Sequence, residues 1–307
     1  MAILLNKSDC TSAIKGTGTL GCKVDFNYIT QFHLVEKGTS FDLTSDTIDQ
    51  ATIDGLIQDN KYVVLPGHDS FENQSGETNY EELASGIKLP IRNGLYEFLP
   101  MFSGGAYFAN ALASLTAKDW DVFILDFDDS GDSRMWGEKT SDGKFKGFET
   151  FLVYAENKSF NDGSSVSTKS PLRIQFSTKG TNAMRSRASY LSSNDAVDFS
   201  NLDGVNDVVL TATDLVAASF KVSAVLASDN STVISSNTDA TNWKVTDTSD
   251  DSNVDPSGVT FVNGVYEIAG VPAGTYIVEF YDKTNSKDVI VSSGRYYDSD
   301  AITVTLT

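Results

Sequence analysis

"DVFILDFDDSGDSRMWGEKTSDGKFKGFETFLVYAE", residues 121–156, sets the fold class of this chain. Two runs rich in β-branched and aromatic residues, 121–127 and 148–156, are separated by the turn-forming clusters Asp-Asp-Ser-Gly-Asp (128–132) and Ser-Asp-Gly (141–143). Asp, Ser and Gly favour tight turns because they bond their own backbone or tolerate positive φ. A further Asn-Asp-Gly cluster at 161–163 leads to "LRIQFST" (172–178). The whole of 121–178 therefore reads as antiparallel strands joined in sequence.

Strands continue on either side, at "KYVVLP" (61–66) and "GLYEFLP" (94–100). Two helices interrupt them. The first follows Ser45 as its N-cap and runs "DTIDQATIDGLIQD" (46–59), with Ile48, Ala51, Leu56 and Ile57 sharing one face. The second, "AYFANALASLTAKDW" (106–120), follows Ser103-Gly104-Gly105 and is apolar nearly all round, so it is expected to pack on a sheet with little exposure. The segment 66–86 reads as a long polar connection, of the kind that in small domains is usually functional or mobile. Beyond about residue 215 everything alternates like short strands, with turns every 8 to 12 residues.

The chain has 307 residues, enough for two separately packed domains, and a net charge of −19 shared by both halves. That sign excludes a protein that grips nucleic acid by its phosphates, and it suits a surface past which DNA slides. No apolar run approaches the ~20 residues that cross a bilayer, so no membrane partner is expected. The opening "MAILLNKSDC" lacks a long apolar region and a cleavage site, which implies synthesis in a cytoplasm without a secretory leader. Cys10 and Cys22 have no zinc-site spacing and read as reduced thiols. His33 and His68 are the two histidines, too few for multi-His metal sites. Trp120, Trp136 and Trp243 could stack on glycans but read more simply as core or interface anchors. Arg185 and Arg187 form a small basic spot, read as solvated.

The acids of the 126–132 turn admit three chemistries. A phosphatase nucleophile loop would use Asp126 and Asp128 as Asp-x-Asp, but it requires a parallel α/β sheet. A calcium loop would use Asp126, Asp128 and Ser130 with Gly131 at the sharp turn, yet its twelfth position is Gly137 instead of Glu. A hairpin tip needs neither, and it is the reading adopted. Like charges repel, so Asp126, Asp128, Asp129 and Asp132 are expected to face solvent, a lumen or a neighbouring subunit. No catalytic, cofactor or metal residue is assigned.

"GVYEIAGVPAGTYIVEFYD" (264–282) resembles the signature of Ig-like and carboxypeptidase-regulatory-like β-sandwiches, where Gly-x-Pro-Ala-Gly-x-Tyr joins two strands. The resemblance implies a turn set by Pro272 and Gly274 and a corner packed by Tyr276. Residues 1–212 resemble, in organisation, the tube-forming tail proteins of long-tailed bacteriophages: an extended arm (1–35), the long loop (66–86), one helix on a sheet and an antiparallel meander. Together these imply a mainly β fold with one or two helices, divided into a tube-like domain (1–213) and an Ig-like sandwich (214–307). They imply no enzyme and no cofactor. They imply a virion subunit that partners itself in stacked hexameric rings and contacts other tail proteins. Such a tube passes genomic DNA, and the sandwich lies outside, where it meets host polysaccharide. A tail terminator, a head–tail connector, a capsid decoration or a glycan-binding module remain alternatives.

Overall fold

The computed structural model describes residues 4–6, 26, 28–43, 48–92, 94–128, 131–156, 169–193, 197–216 and 218–307. Strands make up 49% of the chain, which makes the protein mainly β. Cys10, Cys22, Ser45 and most of the proposed N-terminal arm lie outside the described residues. The chain divides into two units, 1–52 with 62–202 and 53–61 with 203–307.

The first unit begins with β1 (Leu4–Asn6), β2 (Gln31–Glu36), β3 (Ser40–Asp42) and β4 (Tyr62–Val64); helix α1 (Gln50–Gln58) lies between β3 and β4 in sequence and belongs from Ile53 onward to the second unit. Strands β5 (Ser70–Asn73), β6 (Asn79–Glu82), β7 (Lys88–Arg92) and β8 (Glu97–Phe102) follow, then helix α2 (Ala106–Ser114). Strands β9 (Trp120–Phe127), β10 (Ser133–Lys139), β11 (Lys144–Lys146), β12 (Phe148–Ala155) and β13 (Ser170–Phe176) cover the opening stretch. Helix α3 (Thr178–Ser186) and β14 (Ala188–Ser192) complete the unit. The main sheet runs β1-β14-β10-β9-β12-β13-β8-β5, with β2 on the other edge of β9, and one sheet of the protein curls into a half-barrel. Strand β9 is antiparallel to β2, β10 and β12, as its turn-bounded neighbours led one to expect.

Burial explains the choice of strand over helix here. Val122, Phe123, Ile124 and Leu125 are all sealed from solvent, so β9 has apolar residues on both faces and sits in the middle of the sheet. Phe32, Leu34, Trp120, Trp136, Phe148, Leu172, Ile174 and Phe176 build one core. Strand β2 contributes to it, so residues 31–35 of the expected arm belong to the body of the sheet instead of reaching outward.

The helices depart from the sequence reading. Helix α1 starts four residues later than expected, where the Asp49 carboxylate accepts from Thr52 N (2.9 Å) and Thr52 Oγ1 (2.8 Å), satisfying a first-turn donor. Its inner face is Ile53 and Ile57, while Ala51 is exposed. Helix α2 lasts nine residues, not fifteen, and ends in a 3-10 turn (Leu115–Ala117) whose Leu115 carbonyl is held by the Trp120 indole at 2.8 Å. Leu112 alone among its residues is buried, so the expectation of a covered helix fails. Helix α3 was not foreseen. Its inner face is Gly180, Thr181, Ala183 and Met184, too small and polar to register as amphipathic, and Gly180 lets it approach β12. A Cβ there would lie 2.1 Å from the Glu149 carbonyl oxygen.

The second unit contains β15 (Val205–Val216), β16 (Ser219–Leu226), β17 (Trp243–Asp247), β18 (Gly258–Val262), β19 (Val265–Ala269), β20 (Gly274–Phe280), β21 (Ile290–Ser292), β22 (Arg295–Ser299) and β23 (Ile302–Leu306). A six-stranded sheet, β18-β19-β16-β15-β22-β21, and a three-stranded sheet, β17-β20-β23, share one core that includes Phe220, Trp243, Tyr266, Tyr276 and Phe280. Asn263-Gly264, both at positive φ, make the two-residue hairpin turn between β18 and β19. The Gly270–Gly274 turn carries the chain from one sheet to the other, and Tyr276 packs at that corner, fully buried, its hydroxyl 3.5 Å from the Ala273 carbonyl. Strand β15 pairs with β16 and, in parallel, with β22, so the unit begins at Asp203; a boundary at 213/214 would cut the strand. Within this unit Gln58 donates to Asp282 Oδ2 (3.1 Å) and to the Val289 carbonyl (2.9 Å).

Candidate functional site: an assembly surface

The acids of the hairpin separate on folding. Asp126 is on β9 directly across from Arg134 on β10, and both are interior. Arg134 Nε reaches Asp126 Oδ1 at 2.9 Å and its NH2 reaches Oδ2 at 2.6 Å, while the Trp136 indole donates to Oδ1 at 2.8 Å. The guanidinium also lies 5.2 Å from the Trp136 ring and 5.1 Å from the Tyr190 ring, within cation–π range. Burial works to lower the Arg134 pKa, but the bond and charge of Asp126 outweigh it and the net direction is upward. Asp126 therefore faces neither lumen nor neighbour. Desolvation is compensated by an internal cation, and the residue is no longer free to ligate calcium or attack phosphorus.

Asp128 and Asp132 form the turn itself. Asp128 N donates to the Asp132 carbonyl and Asp132 N to Asp128 Oδ1, each at 2.9 Å, with Gly131 at φ +90° between them. Asp132 is exposed and Asp128 half-buried; Asp129 lies outside the described residues. Among the described residues no group of three or more His, Cys, Asp or Glu is placed to hold a metal ion. Among the described residues no helix is long and apolar enough to cross a membrane.

Two other features of the first unit stand out. The segment read as a polar loop is an arm. Strands β5 and β8 pair, the ladder continues through Gln74 N to the Glu97 carbonyl and Gly76 N to the Leu95 carbonyl, and beyond this neck β6 and β7 pair only with each other. The neck is tight, because a Cβ on Gly94 would overlap the Gly76 carbonyl. From 79 to 88 every residue is exposed, Tyr80, Leu83 and Ile87 included.

The second feature is on β12. Its pairing with β13 carries a bulge between Thr150 and Leu152, which puts Phe151, Leu152 and Tyr154 outward together. Phe151 is 74% exposed in the interior of a sheet, where a phenyl ring forfeits about 2 kcal/mol of burial free energy. Helix α2, which carries no charged residue, contacts this strand and leaves most of its own surface exposed.

The remaining residues singled out from the sequence are accounted for inside the units. All three tryptophans are buried, and each indole N–H finds an acceptor: Trp120 on Leu115, Trp136 on Asp126 and Trp243 on the Asn237 carbonyl. None is a glycan platform. Arg187 pairs with buried Glu138 at 2.8 Å, and Arg185 bonds the Gly94 carbonyl and stacks 4.9 Å from the Tyr96 ring, so this is no solvated pair.

His33 is wholly interior, its Nδ1 2.7 Å from the Tyr62 hydroxyl, which in turn lies 3.5 Å from Met135 Sδ. Burial pushes its pKa down to about 3. The unfolded ring keeps an ordinary value near 6.5, so the unfolded chain binds a proton that the native chain refuses. The contribution of the neutral ring is complete above 6.5 and is lost as pH falls below it. Urea unfolding of the wild type should lose about 2–3 kcal/mol more between pH 7.5 and 4.5 than His33→Gln does.

No protein-family model matches the sequence and no curated protein matches it, so the functional reading rests on these surfaces.

Proposed function

We propose that the chain is a self-assembling structural subunit, built to form stacked rings as the tail tube of a long-tailed bacteriophage, with the C-terminal unit as an Ig-like sandwich on the outside. The observation that carries this is the pairing, on one unit, of a projecting arm with an exposed apolar face. A lone two-stranded hairpin is marginal in water, and an exposed aromatic bulge wastes burial free energy. Both are stabilised by contact with another copy. Because the two surfaces differ, copy-to-copy contact is head-to-tail, and such contacts generate closed rings or open filaments. The net charge of −19, with Asp132 and Asp128 at a hairpin tip, suits a wall that does not hold passing DNA. In the second unit the large apolar residues exposed among the described ones are aliphatic, Val209, Leu215, Val216 and Val262 among them, while Phe261 and Tyr281 are half-buried.

Sedimentation velocity of the full chain tests the apolar face. Phe151→Asp places a charge where another copy would seat, so its association should require at least tenfold higher concentration than the wild type, with an unchanged melting temperature. Equal association of the two proteins would remove Phe151 from the interface.

A further inference from the structure

His68 stands at the root of the arm, between β4 and β5, in an environment that suits only its neutral form. Its ring centroid lies 5.9 Å from that of Phe32 and 5.6 Å from that of Phe71, and Phe71 in turn meets Phe98 edge-on at 5.2 Å. Both ring nitrogens are shut off from solvent and have no hydrogen-bond partner among the described residues. Next to it Asp69 N donates to the Met101 carbonyl at 2.9 Å, the first rung of the β5–β8 ladder from which the arm projects.

We infer that His68 is an acid-sensitive latch: the neutral ring fastens Ser70–Asn73 to the aromatic core, and its protonation frees the root of the arm. An imidazolium in this seat has no acceptor for its two N–H groups among the described residues, so the charged ring leaves for water and withdraws its contact from Phe71. Burial lowers the pKa of this group while the charge of Asp69 opposes the shift. The other charged groups near the root are Glu72 on β5 and Lys169, whose ammonium donates to Ser70 Oγ at 2.9 Å. Strand β2 turns Phe32 toward the latch and His33 to its opposite face, against Tyr62. The inference concerns regulation of the arm and so rests on the assembly reading, but its test is made on the unassembled chain.

Hydrogen exchange at pH 7.5 and pH 5, corrected for intrinsic rates, reads the latch directly. In the wild type, protection of the Ser70–Asn73 amides should fall about tenfold relative to Val122–Leu125 of β9 on acidification. His68→Phe, which fills the seat with a ring that cannot titrate, should hold protection at both values. Equal wild-type protection at the two pH values, or the same loss in His68→Phe, would overturn the inference. If that variant does not fold, the wild-type ring resonances decide. His68 titrating in step with Phe71 supports a latch, and His68 titrating while Phe71 stays fixed excludes one.

Discussion

Arg134→Met is expected to destabilise the first unit by about 3–5 kcal/mol, a fall of roughly 10 °C in melting temperature. The substitution takes the Arg134 guanidinium away from the interior Asp126 carboxylate, to which the Trp136 indole still donates. Removing one partner of a buried pair costs far more than the pair contributes, because the remaining charge keeps its desolvation penalty. The double variant Asp126→Leu/Arg134→Met removes both charges and should recover at least half of the loss. Thermal melts of the single and double variants check this. A single variant within 1 kcal/mol of wild type would mean that water reaches Asp126.

Shortening the arm should have the largest effect on assembly and almost none on folding. Replacing residues 77–94 by Asn-Gly closes the ladder at the neck, where Gly76 N already bonds the Leu95 carbonyl at 3.0 Å. Asn-Gly supplies the two positive-φ residues of a tight hairpin turn. The deleted residues from 79 to 88 are exposed and, among the described residues, their strands pair only with each other, so the core containing Phe98 and Phe176 is untouched. The shortened chain should melt within about 1 kcal/mol of the wild type and remain monomeric at concentrations where the wild type associates. Sedimentation velocity and a thermal melt on the same samples distinguish loss of contact from loss of fold.

Local chemistry made much of the fold legible. The Gly270–Tyr276 turn announces its geometry because only certain residues tolerate it. The run at 121–127 announces a buried strand because nothing in it is suited to solvent. Helix α3 stayed hidden since its packing relies on the absence of side chain at Gly180 and the smallness of Ala183. The change in composition near residue 215 falls inside β15, which belongs whole to the second compact unit.

The acidic turn held a signal that went unread. A hairpin with Asp128 opposite Asp132 necessarily sets Asp126 opposite Arg134, and a cation at that offset predicts an internal pair. The arm is illegible for a different reason. Its strand β6 is short, polar and exposed, and resembles an ordinary loop until another surface covers it.

Negative-stain electron microscopy of the concentrated, purified chain at several salt levels would be the first measurement. Rings of six copies, or hollow tubes built from them, with peripheral knobs are the expected result. Compact single particles at every concentration and salt level would contradict assembly by the arm and the β12 face.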